Sequence, residues 1–309
     1  MQMVITTMQT FFLYVGLAAA AAAASGPFAP YITSRPPDVI RILGEEVRGG
    51  VKLQRVVFFS RTAQTSGGGI RTGVSWGGYC AVMVAGLGGK AVAAAFSIYG
   101  SGHFDLGSAF QRDLARLPAE QAAEWLNRLD ARNYAPGIRA RFFEAAAAND
   151  TYFWPPAVTA TLADIQSPKN QLIAPNADHW LNLPGGCERN KEKPWHDNGW
   201  MAMQGTYFDY LLKGQGWPFP ELRDARMVRS SDGSQLVRFR VKNAVHLTAI
   251  EVWHSSTGEP WKSRKWIPIT AARHGNWYQA SVPAGRDSIV LVSDDRPVTV
   301  SSRVLLWRQ

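Results

Sequence analysis

The sequence predicts a mostly parallel α/β sheet followed by a small antiparallel β-sandwich, and three observations indicate this fold class. Apolar runs typical of buried strands alternate with helical segments up to about residue 219. From residue 220 onward, short strands with a period of two are separated by turn residues. In GVSWGG (73–78) a serine flanked by glycines lies where a strand should turn sharply into a helix.

The elements around this serine predict a βαβ unit. Residues 38–47 (DVIRILGEEV) are weakly helical in pattern, whereas KLQRVVFFSRT (52–62) alternates well enough to be a strand. The small-residue segment WGGYCAVMVAGLGG (76–89) is typical of a helix packed tightly on a sheet. The short apolar run AVAAAFSIYG (91–100) is typical of a buried parallel strand.

The pattern continues with two further strand predictions, each ending at a polar residue. A helix is predicted within 117–134, and ARFFEAAAAND (140–150) is a strand ending at Asp150. After a helical segment at 157–165, NQLIAPNADHW is a strand that ends at His179. A last helix spans about 198–213 and is closed by glycines.

The composition changes near residue 220, where WPFPELRDAR (217–226) is interpreted as a linker. Beyond it, LVRFRV (236–241) places Val237, Phe239 and Val241 on one face and basic residues on the other. The domains predicted from these changes are a catalytic-type α/β domain at 26–219 and a β-sandwich at 220–309.

Residues 1–25 are interpreted as a signal peptide, which predicts a secreted or periplasmic protein. The apolar stretch at 11–24 is too short for stable membrane insertion, and its alanines offer small-residue cleavage sites. Residues 1–10 contain no Lys or Arg, unlike the usual start of an export signal, and a buried alanine-rich helix is the alternative.

The formal charge of +9 is concentrated in the C-terminal part of the chain, where residues 226–309 hold 13 Lys and Arg against 6 Asp and Glu. This makes an anionic polysaccharide a candidate partner, with solubility as the alternative explanation. No clustered basic run or nucleic-acid motif is present, so nucleic acid is not an expected partner. The two cysteines, Cys80 and Cys187, allow at most one disulfide, and two free thiols are equally compatible with the sequence.

Three polar residues fit nucleophilic catalysis, because they follow successive strands in the order serine, acid, histidine. Ser75 is the candidate nucleophile, with Asp150 as the orienting acid and His179 as the base. The backbone N–H of Trp76 is the candidate oxyanion donor. The alternatives are a structural serine at position 75 and a turn or helix-capping role for the aspartate.

Further residues are candidates for the surrounding pocket. His103, Trp180 and His196 are placed there, with His196 as the reserve base. Asp178 is a poor orienting acid because neighbouring side chains at a strand end point in different directions. The sequence predicts no metal site and no organic cofactor.

Three segments resemble a known family: GVSWGGYCAVMVAGLGGKAVAAAFSIYGSG, AANDTYFWPP and PNADHWLNLPGG. They are similar to secreted α/β-hydrolases of the acetylxylan-esterase or dienelactone-hydrolase type, and GxSxGGY also resembles the prolyl-oligopeptidase elbow. The resemblance covers about 70–215. It implies acyl transfer through a Ser75 ester, with Asp150 and His179 completing a triad and without a cofactor. The sandwich resembles the C-terminal β-domain carried by some of these hydrolases.

The serine comes early compared with this family, in which several strands and an HG-type loop precede it. The sheet is therefore expected to be incomplete, lacking about a hundred residues of family sequence, and to expose an unpaired strand edge. The alternative is a minimal fold in which Gly67, Gly68 and Gly69 act as the oxyanion loop.

Three functions compete at this point. The leading hypothesis is a serine esterase acting on acylated carbohydrates or small esters. The second is a serine peptidase of the prolyl-oligopeptidase type, and the third is an inactive remnant whose β-domain binds polysaccharide. Trp253, Trp261, Trp266 and Trp277 could stack on sugars in that third case, although core tryptophans are the commoner outcome.

Overall fold

The computed structural model describes residues 39–48, 51–59, 69–179, 199–229 and 234–307. They fall into two compact units, divided after Gly69. The first contains one antiparallel hairpin of β1 (Val39–Arg48) and β2 (Val51–Phe59). The helix predicted at 38–47 is therefore wrong. Its β-branched residues Val39, Ile40 and Ile42 favour extended backbone once 51–59 supplies a pairing partner.

The second unit begins with a parallel sheet and its helices. In chain order these elements are β3 (Gly69–Val74), α1 (Trp76–Gly88), β4 (Val92–Ile98), α2 (Phe104–Gly107), α3 (Gln111–Leu114), α4 (Ala119–Arg128), β5 (Arg141–Ala147), α5 (Pro155–Asp164), β6 (Lys169–Ala174) and α6 (Gly199–Lys213). The strand order is β3-β4-β5-β6, with β4–β5 and β5–β6 parallel. Since each strand follows its neighbour through a crossover, the carboxyl ends of all four share one edge.

The sheet is covered on both faces, as the sequence pattern predicts for buried parallel strands. On one face the rings of Phe96 and Phe143 stack at 4.6 Å, and Tyr207 of α6 packs edge-on against both. On the other face α1 approaches so closely that a Cβ on Gly78 would lie 3.0 Å from Ser97 Oγ. The central strands β4 and β5 are almost wholly buried, and β3 is not.

Two antiparallel sheets follow in the same unit. Their strands are β7 (Glu221–Arg229), β8 (Gln235–Lys242), β9 (Leu247–Ser256), β10 (Ile267–Thr270), β11 (Ala272–His274), β12 (Trp277–Val282), β13 (Arg286–Asp294) and β14 (Thr299–Ser301). One sheet has the order β10-β9-β13-β14 and the other β11-β12-β8-β7. The predicted fold class, a parallel α/β sheet followed by antiparallel β-structure, is thereby confirmed.

The interpretation of 217–226 as a linker is wrong from Glu221 onward, because β7 begins there and pairs with β8 along its length. Local composition favoured a linker, whereas pairing with the following strand makes this segment extended. Trp253 and Trp266 are core residues, each 3% exposed. The predicted boundary at 219/220 falls between α6 and β7, within one compact unit.

Membrane crossing by a helix has no support in the part of the chain that the structure describes, where every helix is too short or too polar to span a bilayer. The predicted signal segment (1–25) lies outside the described residues, as do Cys187, Trp180 and His196. Cys80, on α1, is half-buried and is a free thiol, and burial raises its pKa.

Candidate active site

Ser75 lies between β3 and α1 in a conformation that L-residues rarely adopt. Its φ of 59° and ψ of −122° lie outside the helical and strand regions. The turn is held by two backbone hydrogen bonds: Ser75 N–H donates to Ile98 O at 2.8 Å, and Tyr79 N–H donates to Ser75 O at 3.0 Å. The strained residue is thus fixed between the end of β4 and the first turn of α1.

The glycines around Ser75 allow this turn by close packing of backbone on backbone. A Cβ on Gly73 would lie 2.2 Å from Gly77 O, and one on Gly78 would lie 2.5 Å from Ile98 O. A Cβ on Gly77, by contrast, would meet no atom within 4 Å. The sequence motif therefore contains two glycines with a packing role, Gly73 and Gly78, and the plus-two glycine is sterically free.

Asp150 and His179 lie beside Ser75 in a continuous chain of contacts. His179 Nε2 lies 2.8 Å from Ser75 Oγ, and His179 Nδ1 lies 3.0 Å from Asp150 Oδ2 and 3.1 Å from Oδ1. Asp150 is fully buried and His179 is 1% exposed, whereas Ser75 is only partly buried. The Ser75 hydroxyl is therefore accessible, whereas the contact between His179 and Asp150 is shielded from water.

The sequence predicted that Asp150 and His179 each end a strand, and this prediction is wrong. β5 ends at Ala147 and β6 at Ala174, so the two side chains stand on the loops that follow. The loops are tied together, since Asn149 N–H donates to Ala177 O at 3.0 Å. Strand order brings the three residues to one edge of the sheet, and loop bonding sets their final separation.

Asp150 also has the turn-forming role that the sequence analysis gave as the alternative to an orienting acid. Its Oδ1 accepts hydrogen bonds from the backbone N–H groups of Tyr152 at 2.6 Å and Phe153 at 2.9 Å. The carboxylate is thereby oriented toward the imidazole by the chain's own backbone. Asp178 has a different task, because its Oδ1 accepts from the backbone N–H of His179 at 2.7 Å and from Thr151 at 2.8 Å.

Aromatic rings enclose the imidazole of His179. The ring centroids of Tyr99 and Tyr152 each lie 4.8 Å from it, and Phe153 lies 6.0 Å away in a stacked orientation. Tyr99, with φ of 55°, follows β4 directly and donates its N–H to Ala145 O. These rings restrict the imidazole to the orientation in which Nε2 faces Ser75.

Trp76 is the first residue of α1, so its N–H belongs to the helix-terminal donors that have no partner within the helix. Its indole lies in an aromatic cluster with Tyr79, Phe104, Phe110 and Phe153, at centroid distances of 5.0–6.1 Å. The side chain therefore anchors the elbow, and the backbone is the part available to a bound oxyanion.

Two other sequence-predicted positions lie away from the serine. His103 Nε2 lies 2.6 Å from Asp164 Oδ2 at the end of α5, so its imidazole is bound there and not to the triad residues. Gly69 begins β3, and the five residue steps from it to Val74, next to Ser75, span about 17 Å. This distance contradicts an oxyanion role for Gly69, and Gly67 and Gly68 lie outside the described residues.

The sequence reasoning missed a contact between the sandwich and both loops of the site. Asn149, next to Asp150, donates from Nδ2 to the carbonyls of Trp261 at 3.0 Å and Arg264 at 2.7 Å. Asn176, three residues before His179, donates to Trp266 O at 2.8 Å and accepts from Trp266 N–H at 2.9 Å. We call the segment 261–266 the clamp loop. The only sign of these contacts in the sequence was an asparagine within three residues of each predicted site residue. Their partners could not be identified from it, because they are 90–115 residues away in the chain.

Glu144 is a second feature that periodicity did not single out. It is 1% exposed in the middle of β5, and its Oε1 accepts from Gly100 N–H at 3.2 Å. Burial is the main cause that raises its pKa well above the usual carboxyl range, and the charge of Asp150 adds to it. Burial therefore favours the uncharged acid of Glu144 over its carboxylate, compared with an exposed glutamate.

Metal binding has no candidate in the described ranges, where three or more His, Cys, Asp or Glu side chains never converge on one position. No protein-family model matches the sequence, and no curated protein matches it either.

Comparison with solved structures finds partial likenesses to hydrolases. An acetyl xylan esterase from Paenibacillus sp. is 24% identical, covers 36% of this chain and 39% of its own, and has a TM-score of 0.31. Acetyl xylan esterase 1 from Thermoanaerobacterium sp. is 21% identical over the same shares, with a TM-score of 0.27. The 2,6-dihydroxy-pseudo-oxynicotine hydrolase is 19% identical, covers 48% of this chain and 43% of its own, and has a TM-score of 0.34.

The chain thus spans about two fifths of the length of these solved structures. At this level of similarity no residue role follows from them.

Proposed function

We propose that this chain is a serine carboxylic-ester hydrolase that acts on acylated carbohydrates or small esters. The observation that carries the proposal is the contact chain from Ser75 Oγ through both nitrogens of His179 to Asp150, with separations of 2.8 and 3.0 Å. These separations are within hydrogen-bond reach for proton transfer. The substrate class rests on the sequence resemblance described above.

Acyl transfer follows from this geometry in two steps. Ser75 Oγ attacks the ester carbonyl while Nε2 of His179 takes its proton, and the resulting imidazolium is stabilised by buried Asp150. The imidazolium then protonates the departing alcohol as the tetrahedral intermediate collapses to a serine ester. Water, deprotonated by His179, attacks that ester and releases the carboxylic acid and Ser75.

The negative charge on the tetrahedral oxygen needs a donor placed before the reaction begins. We assign this role to the N–H of Trp76, which opens α1 next to Ser75. The amino end of a helix carries partial positive charge, so the same position also favours the oxyanion electrostatically.

Hydrolysis of p-nitrophenyl acetate tests the proposal. Ser75→Ala is expected to abolish turnover, and Asp150→Asn to lower kcat on the order of 10³–10⁴-fold because the imidazole loses its orienting charge. Ser101→Ala is the matched control. Ser101 is also buried near the carboxyl end of β4, and within the described residues its hydroxyl has no hydrogen-bond partner. Turnover that survives in Ser75→Ala would contradict the proposal.

A fluorophosphonate probe separates the competing functions. Labelling of wild-type protein that is absent in Ser75→Ala supports a serine hydrolase, and cleavage of an Xaa-Pro chromogenic peptide would then favour the peptidase. Folded protein that neither labels nor hydrolyses esters would favour the inactive remnant.

A further inference from the structure

The outer face of the sheet β11-β12-β8-β7 is strongly basic. The inward side of β8 carries buried Gln235, Val237 and Phe239, so Arg238 and Arg240 point outward. We define the basic face as Arg226, Arg238, Arg240 and the indole of Trp277. It lies in the sandwich, and nothing in the proposed hydrolysis uses it.

Strand register brings like charges together on this face. Arg226 of β7 lies directly opposite Arg238 of β8. The guanidinium carbons of Arg226, Arg238 and Arg240 lie 4.8, 5.0 and 5.1 Å from the centroid of the Trp277 ring. Like charges opposite one another destabilise a sheet, so three cations around one indole carry a cost in the free protein.

Only part of this charge is neutralised within the described residues. Arg240 Nε donates to Asp224 Oδ2 at 2.7 Å. Arg226 and Arg238 have no carboxylate partner in the described ranges, and Arg238 Nε is buried there without a hydrogen bond. An anionic ligand on this face would relieve the repulsion between these charges.

The geometry points to a ligand with planar anionic groups. Guanidinium groups stacked on an indole are held in fixed orientation, and their N–H edges are suited to two-pronged contact with a carboxylate. Because the arginines occupy the Trp277 ring, it offers no open platform for nucleic-acid bases or neutral sugars. A flat sheet face also lacks a helix or ribbon that could enter a DNA groove.

Further cations extend the face around the β7 edge. Lys242 lies at the end of β8 and also lines a groove of about 830 Å³ between the two parts of the unit. Arg141, Lys169 and Arg303 line the same groove. Several cations along one groove suit a polymer with repeated charges better than one small anion.

We propose that the basic face binds an acidic polysaccharide through the carboxylates of its sugar units. This inference does not depend on the triad and can be tested in protein that cannot hydrolyse esters.

The test measures binding of the full chain carrying Ser75→Ala to polygalacturonate by affinity electrophoresis. The same polymer as its methyl ester is the neutral control. In that background Arg226→Gln with Arg238→Gln is expected to weaken binding about tenfold or more. Arg226→Lys with Arg238→Lys keeps both charges but loses the planar guanidinium groups. Its affinity for polygalacturonate is expected to lie between that of the Ser75→Ala parent and that of the Arg226→Gln/Arg238→Gln variant.

Arg112→Gln with Arg116→Gln is the matched control, since it removes the same charge by the same substitution from exposed positions at α3, in the α/β part of the chain. Its binding is expected to change less than about twofold. A thermal melt checks folding, and the Arg226/Arg238 variant should melt no lower than its parent because it relieves like-charge repulsion. Equal losses in both double variants, equal binding to the methyl ester, or tighter binding to single-stranded DNA or dextran sulfate would overturn the proposal.

Discussion

At the scale of single residues, the turn at Ser75 depends on which neighbouring positions lack a Cβ atom. Ser75 adopts its unusual φ because strand and helix backbones meet at Gly73 and Gly78. The motif G-x-S-x-G does not by itself say which glycines are sterically required, since Gly77 faces open space.

Alanine substitutions at Gly73 and at Gly77 should therefore affect the free energy of unfolding differently. Gly73→Ala places a methyl group 2.2 Å from Gly77 O, where backbone must shift, and we expect it to lower the free energy of unfolding by about 1–3 kcal/mol or more. Gly77→Ala meets nothing and adds helix propensity to α1, so it should be neutral or stabilise by up to about 1 kcal/mol. Urea unfolding of both variants measures this, and equal destabilisation would mean that close packing is not what selects Gly73.

At the scale of elements, the sandwich is part of the site. The clamp loop receives Asn149 and Asn176 from the two loops that carry Asp150 and His179. The loop is itself fixed by a buried ion pair, Arg264 Nη1 to Asp287 Oδ2 at 2.6 Å. The loops that carry Asp150 and His179 are thus bonded both to each other and to a part of the chain that contributes neither residue.

Loss of either asparagine's hydrogen bonds to the clamp loop should impair the chemical step more than substrate binding. For Asn149→Ala and Asn176→Ala we expect kcat for p-nitrophenyl acetate to fall on the order of tenfold with little change in KM, because the triad loops lose their fixed spacing. Asn170→Ala is the matched control, since Asn170 also bonds toward the sandwich, to Pro220 O at 3.3 Å, but from the amino end of β6. If Asn170→Ala lowers kcat as much as Asn149→Ala and Asn176→Ala do, the cause is a general weakening of contacts to the sandwich. The clamp loop would then have no specific role.

The elements show which features local sequence determines. Apolar runs located β4, β5 and β6 and the helices between them, because parallel strands buried on both faces leave a strong pattern. The order of Ser75, Asp150 and His179 could be predicted because strand order fixes which ends meet. The strand ends, β1 and β7 could not be predicted, since each depends on a pairing partner that its own residue pattern does not reveal. These partners are Ala177 for Asn149, β2 for β1 and β8 for β7.

At the scale of the whole molecule, residues 70–309 behave as one compact unit in which the two kinds of sheet meet. Ile173 N–H of β6 donates to Ser301 Oγ of β14 at 2.7 Å, and Asn170 and Asn176 add further contacts. At the opposite edge, β3 has a strand neighbour on one side only within the described sheet, and its Val74 is 39% exposed. The incomplete sheet that the sequence led us to expect stays a prediction.

Because the unit is compact, a group buried at its centre should report on the unfolding of all of it. Glu144 is such a group, and burial raises its pKa in the folded chain. A carboxyl with a raised folded-state pKa contributes full stability below its unfolded pKa of about 4.3 and loses that contribution as pH rises through the folded value. Glu144→Gln keeps an oxygen acceptor for Gly100 N–H and cannot ionise.

We therefore expect Glu144→Gln to match the wild-type free energy of unfolding near pH 4 and to exceed it increasingly at higher pH. The gain should approach about 1.4 kcal/mol per pH unit between the two pKa values. Urea unfolding at several values between pH 4.5 and 8 measures the difference. Glu259→Gln, at an exposed turn position, is the control for what the same substitution does away from the core. A difference for Glu144→Gln that stays flat with pH would mean that this carboxyl ionises in the folded chain, which would require water or a cation beneath Asp150.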